Sequence, residues 1–152
     1  MDNRQTEGRR SVKFEEYLEE HGELTYKFRG VSMLPLLRQG KDFITVLKKT
    51  DKRCSKYDVV LYRRPPGQYV LHRIVEVRES DYVILGDNCL NKEYGITDDD
   101  IIGVMSEYIR NGRTCSVNNN FYKAYSRIWY GIYPIRRAIK LLRMKLGKLV
   151  KK

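Results

Sequence analysis

The sequence has no long apolar run. None of its 152 residues lies in a stretch approaching the ~18 consecutive apolar residues that a membrane-spanning helix requires. The polar residues 1–10 are not followed by the apolar core of a secretory signal. We therefore expect a cytoplasmic chain without a leader or an N-terminal membrane anchor. With 41% hydrophobic residues, it can still bury the core of one folded domain.

Cysteine and histidine are scarce. The three cysteines, Cys54, Cys89 and Cys115, are odd in number and fit no paired metal spacing, so we predict reduced thiols and no disulfide framework. The only two histidines, His21 and His72, do not belong to a His-Glu-x-x-His motif. We therefore predict neither a metal site nor another cofactor.

Acidic residues are missing from the last third of the chain. All 19 Asp and Glu residues, and 18 of the 30 Lys and Arg residues, lie in 1–107. The other 12 basic residues lie in 108–152 without a single acid. The formal charge of +11 therefore originates in the C-terminal third, which we expect to have a separate role.

The middle of the chain is a series of short strand patterns. Residues 1–10 are predicted to be a flexible N-terminus, and 11–118 a β domain that opens with a short helix from Ser11 to a stop at Gly22. Six segments rich in β-branched and aromatic residues follow: LTYKFRG, DFITVL, YDVVLYR, YVLHRIVEV, DYVILGD and IIGVMSEYI. RRPPGQ and Asn111-Gly112 have the composition of hairpin turns. This pattern predicts a mainly β fold, an antiparallel barrel or folded sheet.

Ser32 and His72 are the residues best suited to chemistry. Ser32 lies in GVSMLP, between a strand and a turn, where its hydroxyl can face outward. A serine hydroxyl needs a neighbouring base before it is a good nucleophile, and His72 is the only imidazole in the β region. On a half-buried strand face an imidazole stays neutral near pH 7, as a general base requires. In LGDNCLNKE, carboxylates at a strand end could orient that ring.

Five segments in order resemble the type I signal peptidase-like serine peptidases, over residues 24–107. GVSMLP is similar to the nucleophile box of this family, and LHRIVEV to the strand that carries its base. The other three segments are LRQGKDFITV with Lys41 inserted, KYDVVLYRR with Tyr57 in place of a glycine, and LGDNCLNKE. The resemblance implies the folded antiparallel sheet shared with self-cleaving repressors, here with a short N-terminal helix and a basic amphipathic C-terminal segment.

The position of His72 indicates the subgroup. Bacterial leader-type enzymes and self-cleaving repressors have lysine there, whereas archaeal, endoplasmic-reticulum and sporulation-type enzymes use a Ser-His pair, and this chain resembles the latter. In those enzymes the most important acidic residue of this box is the one six positions after the Gly-Asp aspartate. That position is Glu93 here, and Asp87 is the Gly-Asp aspartate. Many members have a hydroxyl residue where this chain has Gly30.

The resemblance implies a serine endopeptidase that processes peptides or precursor proteins through an acyl-enzyme. Ser32 would be the nucleophile and His72 the base, with Glu93 or Asp87 as the acid. Substrate and oxyanion contacts would come from the nucleophile box, at Gly30, Val31, Met33 and Pro35. The substrate would add as a strand beside LTYKFRG. The alternative is a catalytically inactive, peptide-binding member of the same fold, tethered to a membrane surface by its basic tail.

Residues 119–152 form the predicted basic amphipathic tail. An apolar seam with helical spacing runs from Phe121 to Leu149, and we predict a kink or break around Gly131–Pro134. Three interpretations remain open: a helix docked on the β domain, a helix on an anionic membrane surface at the inner face, or nucleic-acid binding. Nucleic acid is the least favoured, because no recognised binding motif accompanies the tail.

Overall fold

A computed structural model describes residues 13–150. Eight strands and three helices follow one another along this part of the chain: α1 (Phe14–His21), β1 (Glu23–Lys27), β2 (Phe43–Lys48), β3 (Val59–Arg64), β4 (Gln68–Val77), β5 (Tyr82–Leu85), β6 (Glu93–Ile96), β7 (Ile101–Arg110), β8 (Arg113–Ser116), α2 (Asn120–Gly131) and α3 (Tyr133–Val150). The prediction of a mainly β fold is confirmed.

The strands form one open antiparallel sheet in the order β1-β2-β7-β3-β4-β5-β6, and β8 pairs with β7 as a hairpin. Within the described residues, β1 pairs only with β2 and β6 only with β5. These two strands consequently end the main strand order, and β8, which pairs only with β7 among the described residues, is a third edge. The segment predicted to receive a substrate strand, LTYKFRG, contains most of β1 and therefore lies at an edge.

The first helix ends where the sequence predicts. Gly22 has a φ of 77°, and its N–H donates to the Leu18 carbonyl, which is a left-handed helix cap that glycine adopts without strain. The helix begins at Phe14, with Lys13 at its N-cap position. The predicted cap Ser11, like the predicted flexible segment 1–10, lies outside the described residues.

Both predicted hairpins are present, and one of them fixes the register of the candidate site. Arg64 pairs with Gln68 across the RRPPGQ turn, so Tyr62 is opposite Val70 and Val60 is opposite His72. Because alternate residues of a strand share a face, this register puts Val60, Tyr62 and Arg64 on the same face as His72. At the second hairpin, Asn111 and Gly112 both have positive φ, which suits a two-residue turn.

The strand β6 was not predicted from the sequence. It contains four residues, EYGI, and the glycine has a φ of 76°. A run this short with glycine in it carries almost no strand signal. It is extended because it pairs with β5, through Tyr82–Ile96 and Ile84–Glu93. This pairing puts Glu93 on the edge strand beside β5, one strand away from β4.

The buried core has three clusters, the smallest of which contains Val75, Val83 and Leu85. One buried cluster packs beneath α1 and includes Leu18, Phe28, Met33, Leu37, Ile44, Val46, Leu61, Leu71 and Met105. The second lies on the face of His72 and includes Val60, Tyr62, Ile74, Tyr82 and Ile84. Met33, the residue after Ser32, is completely buried in the first cluster and fixes the loop at that point.

The tail divides into two helices, and the predicted break near Pro134 is confirmed. Pro134 lies in the first turn of α3, where its missing N–H costs no hydrogen bond. The helix α2 buries Tyr122 and Ser126 against the domain, whereas α3 buries no residue. Burial against the β domain therefore describes α2, whereas α3 contacts the domain without burying a residue. Between residues 13 and 150, no helix combines the length and the apolar character needed to cross a bilayer.

Candidate active site

Ser32 lies in the loop that joins β1 to β2, and a buried carboxylate holds this loop closed. Asp42 is fully buried, and its oxygens accept from Arg38 (Nη2–Oδ1, 2.7 Å) and Arg110 (Nη2–Oδ2, 3.0 Å). Burial alone would raise the pKa of Asp42, but these hydrogen bonds lower it to about 2. Arg110 also donates to the carbonyls of Pro35 and Leu36. Arg110 of β7 therefore holds the loop at two places, at Asp42 and at the carbonyls of Pro35 and Leu36.

The backbone of Ser32 is held from the opposite side by Asn88. The Asn88 N–H donates to the Ser32 carbonyl at 2.8 Å, and the Asn88 side chain donates to the Val31 carbonyl at 3.0 Å. Ser32 itself is half-buried, and Val31 is exposed. The Ser32 N–H has no acceptor among residues 13–150 and is free to donate to a developing oxyanion. Gly30, with a φ of 103°, has no side chain to add a second donor.

His72 is buried on β4, with 5% of its surface exposed. Its Nδ1 lies 3.2 Å from the Tyr62 hydroxyl oxygen and 3.4 Å from Oε1 of Glu93. Burial lowers the pKa of the imidazole below its ordinary 6.5, and the Arg64 charge lowers it further, while the Glu93 charge acts in the opposite direction. The ring is therefore neutral at pH 7, as a general base must be.

Glu93 is held in place by Arg64. The Arg64 Nε donates to Oε2 at 3.2 Å, and its Nη2 donates to Oε1. A fixed carboxylate beside Nδ1 favours the tautomer that carries its proton there. The lone pair of Nε2 is then directed to the opposite side of the ring, where the Ser32 loop passes.

Gly86 lies where the Ser32 loop and the imidazole converge. A methyl group on Gly86 would be 2.8 Å from the Ser32 carbonyl oxygen, 2.9 Å from His72 Nε2 and 2.5 Å from Cys89 Sγ. The Ser32 backbone carbonyl and the His72 ring therefore border the same point. The Cys89 thiol is in the same corner, 3.9 Å from His72 Nε2. The described residues include no Ser32–His72 hydrogen bond.

Asp87 has a different set of partners from Glu93. Both of its oxygens accept from the buried Arg73 (Nε–Oδ1, 2.8 Å; Nη2–Oδ2, 2.9 Å), and Tyr125 donates to Oδ2 at 2.9 Å. Arg73 also donates to Ser126 Oγ at 2.6 Å. Asp87 thus joins β4 to α2. Of the two candidate acids, the structure brings Glu93 to the His72 ring and directs Asp87 to Arg73.

Four residues around the site were not assigned from the sequence: Tyr62, Arg64, Asn88 and Cys89. For Tyr62 and Arg64, the register of the β3–β4 hairpin was enough to predict that they lie beside His72. Once RRPPGQ is taken as a turn with Arg64 opposite Gln68, alternation puts both Tyr62 and Arg64 on the face of His72. Cys89 and Asn88 reach the site through a loop whose path has no comparable pattern.

An open groove includes Cys89 and Glu93, the two residues beside the nitrogens of the buried imidazole, in its lining. It is lined by Arg64, Asn88, Cys89, Lys92, Glu93 and Lys140. A second, more apolar cleft lies beside the edge strand β1, lined by Phe14, Tyr26, Phe28, Leu61, Tyr69 and Leu71. Within 13–150, no cluster of three or more potential His, Cys, Asp or Glu ligands could hold a metal ion.

Comparisons with protein-family models, with curated proteins and with solved structures returned no match.

Proposed function

We propose that the protein is a serine endopeptidase of the type I signal peptidase-like class, with the folded sheet of that class. Ser32 is the nucleophile, His72 the general base and Glu93 the orienting acid. The observation that carries this assignment is the environment of His72. One ring nitrogen is next to a fixed carboxylate, and the other is directed to the point that the Ser32 loop reaches.

The substrate is a peptide or precursor protein bound in extended form. Among residues 13–150, β1 pairs only with β2, so its other side can accept a further strand, and the apolar cleft beside it can receive substrate side chains. The chain continues from β1 through Gly30 to Ser32 within five residues. A substrate paired with β1 therefore passes close to the nucleophile. Val31, which is exposed, and Pro35 line the approach, whereas the buried Met33 anchors the loop.

The reaction proceeds in two acyl-transfer steps. His72 Nε2 takes the hydroxyl proton while Ser32 Oγ attacks the substrate carbonyl carbon, and the Ser32 N–H donates to the resulting oxyanion. The imidazolium returns the proton to the leaving amine, and the peptide bond breaks to leave an acyl ester on Ser32. Water, deprotonated by His72, then attacks the ester carbon, and the ester bond breaks as the imidazolium returns the proton to Ser32 Oγ and the carboxylic acid product leaves. Glu93 stabilises the imidazolium during both steps.

The test is cleavage of a peptide library rich in small residues, read by mass spectrometry. Ser32→Ala and His72→Ala are expected to abolish cleavage, because each removes one partner of the proton transfer. Ser80→Ala and His21→Ala are matched controls at exposed positions and should cleave at the wild-type rate. A serine-reactive fluorophosphonate should label the wild type and not Ser32→Ala. Equal cleavage by Ser32→Ala and wild type would overturn the assignment.

One observation favours a second candidate, a non-catalytic peptide-binding protein. Cys89 Sγ lies beside Nε2 of His72, in the space that the Ser32 hydroxyl must enter. The same peptides distinguish the two functions. Binding without cleavage, with no fluorophosphonate labelling of folded wild type, would favour the binding protein.

A further inference from the structure

The helix α3 has an apolar row that no part of residues 13–150 covers. The row consists of Ile135, Ile139, Leu142, Leu146 and Leu149. Ile135 is 63% exposed and Leu149 70%, which are large fractions for aliphatic side chains. An apolar row of this length is unusual on a surface that stays in contact with water.

The opposite side of α3 is attached to the domain. Arg136 donates to the Asp87 carbonyl at 3.1 Å, Arg137 to the Leu90 carbonyl at 3.2 Å, and Lys140 to the Asn88 carbonyl at 2.7 Å. At 3.6 residues per turn, these three cations lie roughly 120–160° around the helix from Leu142, although Arg136 neighbours Ile139. The contacts therefore orient α3, and they direct its apolar row away from the domain.

The positive charge of the tail limits which kind of partner can cover this row. Arg143, Lys145 and Lys148 flank it, and residues 108–152 contain no acid. The alternating steps of four and three also occur in coiled coils, but a second copy would bring only like charges together along the seam. Nucleic acid would satisfy the cations and leave the apolar row in water. An anionic bilayer accepts both features, because apolar side chains enter the acyl boundary while cations stay at the headgroups.

We propose that α3 binds the surface of a bilayer that contains anionic lipids, with the Ile135–Leu149 row buried at the headgroup–acyl boundary. The helix lies parallel to the membrane, and the loop 87–90 is held about one helix diameter, ~10 Å, above it. This binding is independent of whether Ser32 is a nucleophile. It would bring the groove lined by Cys89 and Glu93 to chains that emerge from a membrane.

Binding is measured by flotation of the full chain with vesicles, in the Ser32→Ala background to exclude self-cleavage. Vesicles of phosphatidylcholine alone are compared with vesicles that contain 30% phosphatidylglycerol. We expect at least ten-fold stronger partitioning to the anionic vesicles. The triple variant Ile139→Ser/Leu142→Ser/Leu146→Ser should lose that binding, and so should Arg143→Gln/Lys145→Gln/Lys148→Gln. All six positions are exposed, so folding is unaffected.

The matched control removes exposed apolar residues from the β domain. Leu47→Ser/Val77→Ser/Tyr94→Ser should bind vesicles like the parent, because these side chains lie outside α3. Orientation is tested by quenching with brominated acyl chains. A tryptophan at Leu142 should be quenched, and one at Met144, on the opposite side of the helix, should not.

Three results would overturn the membrane assignment. One is equal flotation of the parent chain and the apolar triple variant. Another is a concentration-dependent dimer by sedimentation velocity without flotation, which would assign the row to a second copy. The last is salt-sensitive binding to random DNA without flotation, which would assign the tail to nucleic acid.

Discussion

Oε1 of Glu93 lies 3.4 Å from Nδ1 of His72, and this carboxylate is held there by Arg64. The two residues come from strands that are not neighbours in the sheet, since β5 lies between β4 and β6. Their proximity depends on the side chain of Glu93 reaching across β5 to the face that carries His72. A glutamate, one methylene longer than aspartate, suits this reach.

Replacement of Glu93 by glutamine should reduce turnover far more than stability. The amide keeps the shape of the side chain but cannot stabilise the imidazolium, so kcat/KM should fall by at least ten-fold and by up to about 10⁴-fold. The ion pair with Arg64 is partly exposed, so the free energy of unfolding should change by about 1 kcal/mol or less. Peptide cleavage and urea denaturation measure the two quantities. A variant with wild-type kcat/KM would show that Glu93 does not assist His72.

The pH dependence of cleavage should report the lowered pKa of His72. Burial favours the neutral ring, so kcat/KM should rise with pH through a midpoint below 6.5. Glu93→Gln should move this midpoint lower still, because it removes a negative charge that raises the pKa and leaves the Arg64 charge unopposed. Wild type and variant are compared between pH 4.5 and 8. A midpoint above 6.5 in the wild type, or an upward shift in the variant, would contradict the burial argument.

Asp87→Asn should have the converse effect, a large loss of stability. The substitution leaves the buried Arg73 guanidinium without its counter-charge, which costs ~3–5 kcal/mol in comparable buried pairs. Thermal unfolding measures this loss, with Asp99→Asn as a control at an exposed aspartate expected to stay within about 0.5 kcal/mol. Wild-type stability with lost cleavage in Asp87→Asn would instead give Asp87 the role of the catalytic acid.

Most of the sheet could be predicted from the sequence, because its strands have local signals. The segment YVLHRIVEV is rich in β-branched residues, and the turn at Asn111-Gly112 is a strong hairpin signal, so strands β4 and β7–β8 were expected from composition alone. The strand order was not predictable in the same way. The pairing of β7 with both β2 and β3 joins residues 39 (Tyr62–Ile101) to 66 (Phe43–Ile109) positions apart, and no local pattern encodes it.

The candidate site was predictable only in part, for the same reason. Ser32 and His72 stand out as residue types in suitable segments, and both reach the corner at Gly86. The sequence did not show which side chains Asp87 and Glu93 contact. Each carboxylate pairs with an arginine on a strand distant in sequence, Asp87 with Arg73 and Glu93 with Arg64. The division of the tail into a docked α2 and an uncovered α3 also depends on tertiary contacts. Both helices are similarly amphipathic in sequence.

Gly86→Ala should separate Ser32 from His72. The added methyl group would lie under 3.0 Å from the Ser32 carbonyl oxygen, His72 Nε2 and Cys89 Sγ, so the loop must move. A displacement near 1 Å at reacting groups costs about 10²-fold in rate, and overpacking costs ~1–3 kcal/mol. Gly131→Ala is the control, because its methyl group would meet no atom within 4 Å. Cleavage by Gly86→Ala at the wild-type rate would show that this corner is not the reaction centre.

Alkylation of Cys89 should block cleavage. Its half-buried thiol lies 3.9 Å from His72 Nε2, so an iodoacetamide adduct would fill the space that the Ser32 hydroxyl and the substrate carbonyl must enter. Burial raises the pKa of this thiol, so inactivation should accelerate as the pH rises above 8. Cys89→Ala should cleave and resist iodoacetamide, whereas Cys115→Ala should remain sensitive. The contrary result is equally informative. If Cys89→Ala abolishes cleavage while Ser32→Ala retains it, the thiol beside His72 is the nucleophile, and the serine mechanism is wrong.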